Sequence, residues 1–168
     1  GLLQEKSRLD LGAIAVGYSV DRAVNILRKH GIESALINHS GDIYALGSPP
    51  EEEGWLIEIT DPLRPDETIT SLRIQNKAVS TSGNYQNYVA YDGEQYGHIL
   101  NPRTGKPTSR ILSTTVLANS STEADALSTG IFVMGLEEGK VLAKSSNGVD
   151  LVAITEHEGR EVVVSTME

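Results

Sequence analysis

Apolar positions near the start of the chain recur at helical spacing. Ala13, Gly17, Val20, Val24 and Leu27 fall three or four residues apart, and Gly31 stops the run. The pattern predicts a helix over 13–30 with one packed face. The rhythm then shortens. ESALIN and IYALG are brief apolar runs separated by Ser40-Gly41-Asp42, which predicts two strands joined by a tight turn. SPPEEEG (48–54) reads as a polar loop. WLIEIT and ITSLRIQN alternate apolar and polar positions, as half-buried strands do, with DPLRPDET as the loop between them. KAVSTSGNYQ reads as a strand entering a bend, and NYVAY and QYGHIL flank a hairpin signal at Asp92-Gly93-Glu94. NPRTGKP is dense in turn residues, and STTVLA is a strand. A buried helix is predicted from Thr122 to about Gly135, with a shorter one after Leu136. VDLVAITEHEGREVVVS closes the chain as two strands around Glu158-Gly159.

Two long helices, with hairpin-connected strands between and after them, predict an α+β fold with a largely antiparallel sheet. They argue against a doubly wound parallel sheet. No repeat or linker divides residues 1–168, and the length suits a single domain with a real core. The opening GLLQEKSRLDLG reads like the middle of a longer protein.

Charge narrows the function. The net charge is −9, from 14 basic and 23 acidic residues, so nucleic acid is a poor partner. A phosphate would need a metal or a helix end to hold it. The absence of cysteine removes disulfides, thiolate nucleophiles and Cys-type zinc sites. No apolar run is long enough for a transmembrane helix, and no signal peptide is present in these residues.

Five segments are candidates for chemistry. In STEADALST, Thr122 and Asp125 have capping-box spacing, so a helix begins there. Asp125, Ser128 and Thr129 follow at i, i+3 and i+4, an all-oxygen set suited to Mg²⁺. The same spacing is equally that of an ordinary helix start. In LDLGAIAVGYSVD, Asp10 precedes a helix whose amino end attracts anions, or which is simply capped. STSGNY (80–85) and NHSGD (38–42) fit ligand-contacting turns and also a plain bulge and hairpin loop. In GHILNPRTGKP, His98 precedes a turn-rich loop and offers a group for proton transfer, although strand histidines are commonly structural. Lys106 in the same loop is a phosphate contact or a solvated turn residue.

The order of these segments is more specific than any one of them. DLGAIAVGYSVD, NHSGDIYALG, STSGNY, HILNPRTGKP and ADALSTGIFVMG closely resemble the successive motifs of the ApbE family, the FAD:protein FMN transferases, over nearly the whole chain. The resemblance implies a T-fold-like α+β architecture, use of Mg²⁺, and FAD as substrate. FMN would be transferred to a threonine hydroxyl of flavoproteins in membrane redox complexes, with release of AMP. It also implies action outside the cytoplasm, with any membrane attachment through a lipid anchor on a preceding N-terminal portion, which in the family adds flavin contacts and the export signal. By motif position, Asp10 and Ile99 correspond to flavin-nucleotide contacts, and Ala13, Asp125, Ser128 and Thr129 to the metal site, Ala13 through its backbone. His98 corresponds to the family's functional histidine. Val16 stands in the nucleotide-contact position that the family fills with lysine, which removes a positive charge. Ser40-Gly41-Asp42 replaces the usual GGD, and HILNP, with Asn101, replaces HIIDP. FAD hydrolysis to FMN and AMP, with water as nucleophile, and a non-catalytic flavin-binding module are the alternatives.

Overall fold

The computed structural model describes residues 8–84, 88–91, 94–108, 111–157 and 160–167. In chain order its elements are helix α1 (Ala15–Lys29), strands β1 (Ala35–His39), β2 (Asp42–Leu46), β3 (Trp55–Thr60), β4 (Thr68–Ile74), β5 (Lys77–Gly83), β6 (Tyr88–Tyr91), β7 (Glu94–Gly97), β8 (Leu100–Asn101), β9 (Lys106–Pro107) and β10 (Ser113–Ala118), helices α2 (Ser121–Met134) and α3 (Leu136–Ser145), then β11 (Asp150–His157) and β12 (Arg160–Ser165). Six strands form one sheet in the order β1-β2-β5-β10-β11-β12, and every neighbouring pair is antiparallel. The predicted α+β class and largely antiparallel sheet are therefore what the chain adopts. Tyr85, Asp92-Gly93 and Glu158-Gly159, at which a bend and two turns were read, lie outside the described residues.

The pleat sends alternate side chains to opposite faces of the sheet. Tyr44, Leu46, Ala78, Val116, Ala118, Leu151 and Ala153 face the helices and pack with Val20, Val24, Ile131 and Phe132. Their neighbours Ala45, Val79 and Leu117 face the other way, against Ile57 and Ile74 of the β3–β4 hairpin. Val152 and Ile154 meet Ile59 of the same hairpin. The result is three layers, helices on sheet on hairpin. β10 lies inside, buried at every position. Its hydroxyls are mostly satisfied internally: Thr114 Oγ1 donates to the Ser128 carbonyl at 2.8 Å, and Thr115 pairs with Thr81 at 2.8 Å.

α1 ends where Gly31 predicts. Gly31 has φ +76°, its N–H donates to the Arg28 carbonyl, and the Ile32 N–H donates to the Leu27 carbonyl. These paired bonds are a Schellman stop, and the left-handed residue in it favours glycine. The start of α2 differs from the expected Thr122–Asp125 box. Ser120 is the N-cap, with extended backbone, and its Oγ accepts from the Glu123 N–H at 3.2 Å. Three successive hydroxyl residues compete for the cap, and the one left outside the helical turn takes it. Asp125 is thereby released from capping its own helix.

Candidate functional site

α1 and α2 cross near their amino ends, and the crossing depends on Gly17. A Cβ at that position would sit 2.2 Å from the Ser121 carbonyl oxygen and 2.8 Å from the Asp125 Cβ, so only glycine allows the approach. The approach also completes the capping of α1, whose N-cap residue Ile14 supplies no side-chain bond. The first-turn N–H of Gly17 donates instead to Asp125 Oδ2 at 3.0 Å. Asp125 thus serves the neighbouring helix, not its own.

Beside this crossing lies a cleft of about 420 Å³. Asp10, Gly12 and Ala13 line it from the approach to α1 and Val16 from its first turn; Ser40 from the β1–β2 turn and Asp42 from the start of β2; Ser80 to Gly83 from β5; His98 and Ile99 from the segment before β8 and Leu100 from β8 itself; and Asp125, Thr129 and Val133 from α2. Of the predicted site residues, all but Ser128 line it. Ser128 is fully buried behind the wall. Its hydroxyl contacts Ser82 Oγ at 2.8 Å and Ser80 Oγ at 3.3 Å, and donates to the Asp125 carbonyl at 3.0 Å. The reason is helical geometry: consecutive residues lie about 100° apart around the axis, so when Thr129 faces the cleft Ser128 faces the sheet.

Two cleft residues lie in segments that the sequence left open between a ligand-contacting turn and a plain bulge or hairpin loop. Ser82 bonds Thr129 Oγ1 at 2.9 Å as well as Ser128, within a segment that read equally well as a bulge. Asp42 is the more consequential. Ser40 and Gly41 both have positive φ, 54° and 98°, and His39 pairs directly with Asp42, which is a two-residue hairpin turn of the twisted kind. The Asn38 side chain fixes it by accepting from the Gly41 N–H at 3.1 Å. The turn delivers Asp42 into the cleft, buried beside Ser80 and Asp125. Burial pushes the Asp42 carboxyl up to about 6, and the charge of Asp125 adds to that while Ser80 opposes it. Burial also raises the Asp125 carboxyl, against the Gly17 N–H and the bond to Asp42, which lower it. Among the described residues no lysine or arginine pairs with either carboxylate.

Such a pair is stable with a shared proton or with a cation. Around the two carboxylates the donors are oxygen: the carboxylates themselves and the hydroxyls of Thr129 and Ser82. That set fits a hard divalent ion such as Mg²⁺. Among the described residues no cluster of three His, Cys, Asp or Glu side chains is present, so hydroxyl, backbone or substrate oxygens would have to complete the shell.

Asp10 and His98 sit on the exposed rim. Asp10 Oδ1 accepts from the Gly12 N–H at 2.8 Å and shapes the turn into α1. His98 and Ile99 precede a small hairpin closed by Gly105 N–H to the Asn101 carbonyl at 2.8 Å. Asn101 Oδ1 accepts from the Arg103 N–H at 2.9 Å. An aspartate would accept that bond equally, so asparagine can hold the same turn.

The ApbE family pattern matches residues 2–153. The chain belongs to the ApbE family. An FAD:protein FMN transferase of Klebsiella pneumoniae (strain 342) is 36% identical over 167 residues, 98% of this chain and 50% of that protein. One from Treponema pallidum (strain Nichols) is 36% identical over 163 residues, 91% of this chain and 45% of that one. The crystal structure of the ApbE protein of Thermotoga maritima superposes with a TM-score of 0.82 at 37% identity, covering 93% of this chain and 51% of that one. The apo flavinyl transferase ApbE of Pseudomonas stutzeri gives 0.78 at 34% identity, covering 94% and 49%. This ApbE chain therefore spans about half the length of the curated relatives it matches.

Proposed function

We propose that this chain carries the metal- and phosphate-binding part of an FAD:protein FMN transferase, which attaches FMN to a threonine hydroxyl of an acceptor flavoprotein. The observation that carries this reading is the meeting of Asp42, Asp125, Thr129 and the amino end of α1 in one cleft, with the carboxylates unneutralised by any described basic side chain. In the reaction, the threonine oxygen bonds to the phosphorus on the FMN side of the FAD pyrophosphate. The bond from that phosphorus to the bridging oxygen breaks, AMP leaves with that oxygen, and the threonine proton passes to a base.

Charge on phosphate oxygens dominates such a step, so positioning and electrostatics carry the catalysis. α1 has no acidic residue in its first turn, and its positive end would attract the pyrophosphate. Asp125, the Thr129 hydroxyl and the Ala13 backbone would hold Mg²⁺, with Asp42 beside them. Bound Mg²⁺ would neutralise charge on the pyrophosphate oxygens. Asp10 and Ile99 would contact the nucleotide. His98, on the rim where an acceptor must enter, would take the threonine proton. The expected acceptors are flavoprotein subunits of membrane redox complexes, reached outside the cytoplasm. No described helix is long and apolar enough to cross a membrane.

Incubating the protein with FAD, Mg²⁺ and a threonine-bearing acceptor tests the proposal. Covalent flavin on the acceptor, lost with EDTA and reduced about 10²–10⁴-fold in His98→Gln at unchanged FAD affinity, is expected. FAD consumed with free FMN as the sole flavin product would contradict transfer and leave a hydrolase.

A further inference from the structure

Asp125 works only if the first turns of α1 and α2 stay locked together, and one residue outside the cleft makes that lock. Asp21 lies on α1, one turn beyond Gly17, and its carboxylate reaches across to the amino end of α2. Its Oδ1 accepts from the Ser121 N–H at 2.7 Å, and its Oδ2 from the Thr122 N–H at 2.9 Å and the Thr122 hydroxyl at 2.5 Å. The Glu123 N–H is taken by Ser120, so Asp21 satisfies the two first-turn donors of α2 that remain. The exchange is reciprocal: α1 gives Asp21 to the start of α2, and α2 gives Asp125 to the start of α1. Each carboxylate sits at the positive end of the partner helix, where a negative charge is favoured. Between the two bonds lies the Gly17–Ser121 contact, which leaves no slack for sliding.

We propose that Asp21 is a positioning residue for the metal and phosphate site: by clamping the first turn of α2 onto α1, it holds Asp125 at the Gly17 N–H and at the cleft. The inference rests on the reading of the cleft given above. Asp21 touches neither the cleft nor any reacting atom, so it acts through Asp125.

The test compares Asp21→Asn, which keeps the shape and removes the charge, with a control whose melting temperature falls equally. Ile154→Val serves as that control, because Ile154 packs on the hairpin face of the sheet, away from both helices; Ile154→Ala replaces it if the loss must be larger. Mn²⁺ binding is measured by calorimetry, and amide exchange is followed at Gly17, Val20 and Val24. Loss of a group that orients a metal ligand commonly weakens affinity about 10–100-fold. The proposal expects at least a ~10-fold loss in Asp21→Asn and none in the control. It also expects faster exchange at Gly17 relative to Val20 and Val24 on the same helix. If Asp21→Asn does not fold, Thr122→Val removes one of the three bonds and should move both readouts the same way, more weakly. Equal Mn²⁺ affinity in the Asp21 variant and the control, with Gly17 exchange unchanged, would overturn the positioning role while leaving the cleft reading intact. A wild-type protein that binds no Mn²⁺ would overturn the cleft reading, and this inference with it.

Discussion

Replacing Gly17 by alanine should damage the protein even though alanine is the better helix former. Propensity alone favours the change by about 1 kcal/mol. Against it stands the Ser121 carbonyl oxygen, 2.2 Å from the new Cβ, where ordinary contact begins near 3.4 Å. The helices must therefore part by 3.4 − 2.2, or about 1.2 Å, along that direction. Overpacking of this kind costs about 1–3 kcal/mol. The same movement carries the Gly17 N–H away from Asp125, now 3.0 Å distant, and breaks a bond to a charged acceptor worth about 1.5–3 kcal/mol. The net loss is about 1.5–5 kcal/mol, which for a chain of this size lowers Tm by roughly 3–20 °C. Gly130, in the middle of α2, is the matched control: a Cβ there meets nothing within 4 Å. Gly130→Ala should gain about 0.5–1 kcal/mol and raise Tm by roughly 1–4 °C. Thermal unfolding followed by far-UV circular dichroism in EDTA reads both. A Gly17→Ala protein as stable as Gly130→Ala would refute the helix-crossing argument.

Asp125→Asn keeps an acceptor for Gly17 and removes one buried charge, so Tm in EDTA should hold or rise while Mg²⁺ affinity collapses; calorimetry that finds affinity retained would remove Asp125 from the metal site. Asp42 is held at about 6 in the folded protein against 3.8 for an ordinary aspartate, so the folded state is the one that keeps the proton. The contribution of this group to metal-free stability is therefore greatest below about pH 4 and falls by up to about 3 kcal/mol as pH rises through 6. Saturating Mg²⁺ should reverse much of that fall, and a pH series of melting curves with and without Mg²⁺ checks both statements. Val16→Lys restores a positive charge at the cleft wall and should tighten FAD binding, more at low salt; fluorescence titration showing no change would mean that the side chain at 16 points away from the nucleotide.

Much of the fold is legible in local pattern because local forces decide it. β3 and β10 coincide with WLIEIT and STTVLA, whose alternation or continuous burial follows from their place in the layers. The end of α1 was readable because Gly31 is needed there for a left-handed residue. The cap of α2 was misplaced by two residues, since Ser120, Ser121 and Thr122 all offer hydroxyls and only the tertiary contact to Asp21 assigns them. The site was legible where it is carried by one helix, at Asp125 and Thr129. Asp42 was not, because nothing in the turn NHSGD reveals that it will be buried against a carboxylate from the far half of the chain. Ser128 shares a helical stripe with Asp125 in the sequence, but packing against β5 turns it inward. Asp21 left no signal either, since an aspartate within a helix reads as a solvated residue until its partner helix is in place.

The proposed function requires a divalent ion between the crossed helices and the β1–β2 turn. Anomalous diffraction from crystals soaked in Mn²⁺ and FAD tests it most directly. The expected result is an anomalous peak within about 2.5 Å of an Asp125 carboxylate oxygen and the Thr129 hydroxyl, with Asp42 in the same cluster and a phosphate oxygen on the open side. A bound flavin nucleotide with no metal peak at Asp125, or a peak elsewhere on the protein, would contradict it.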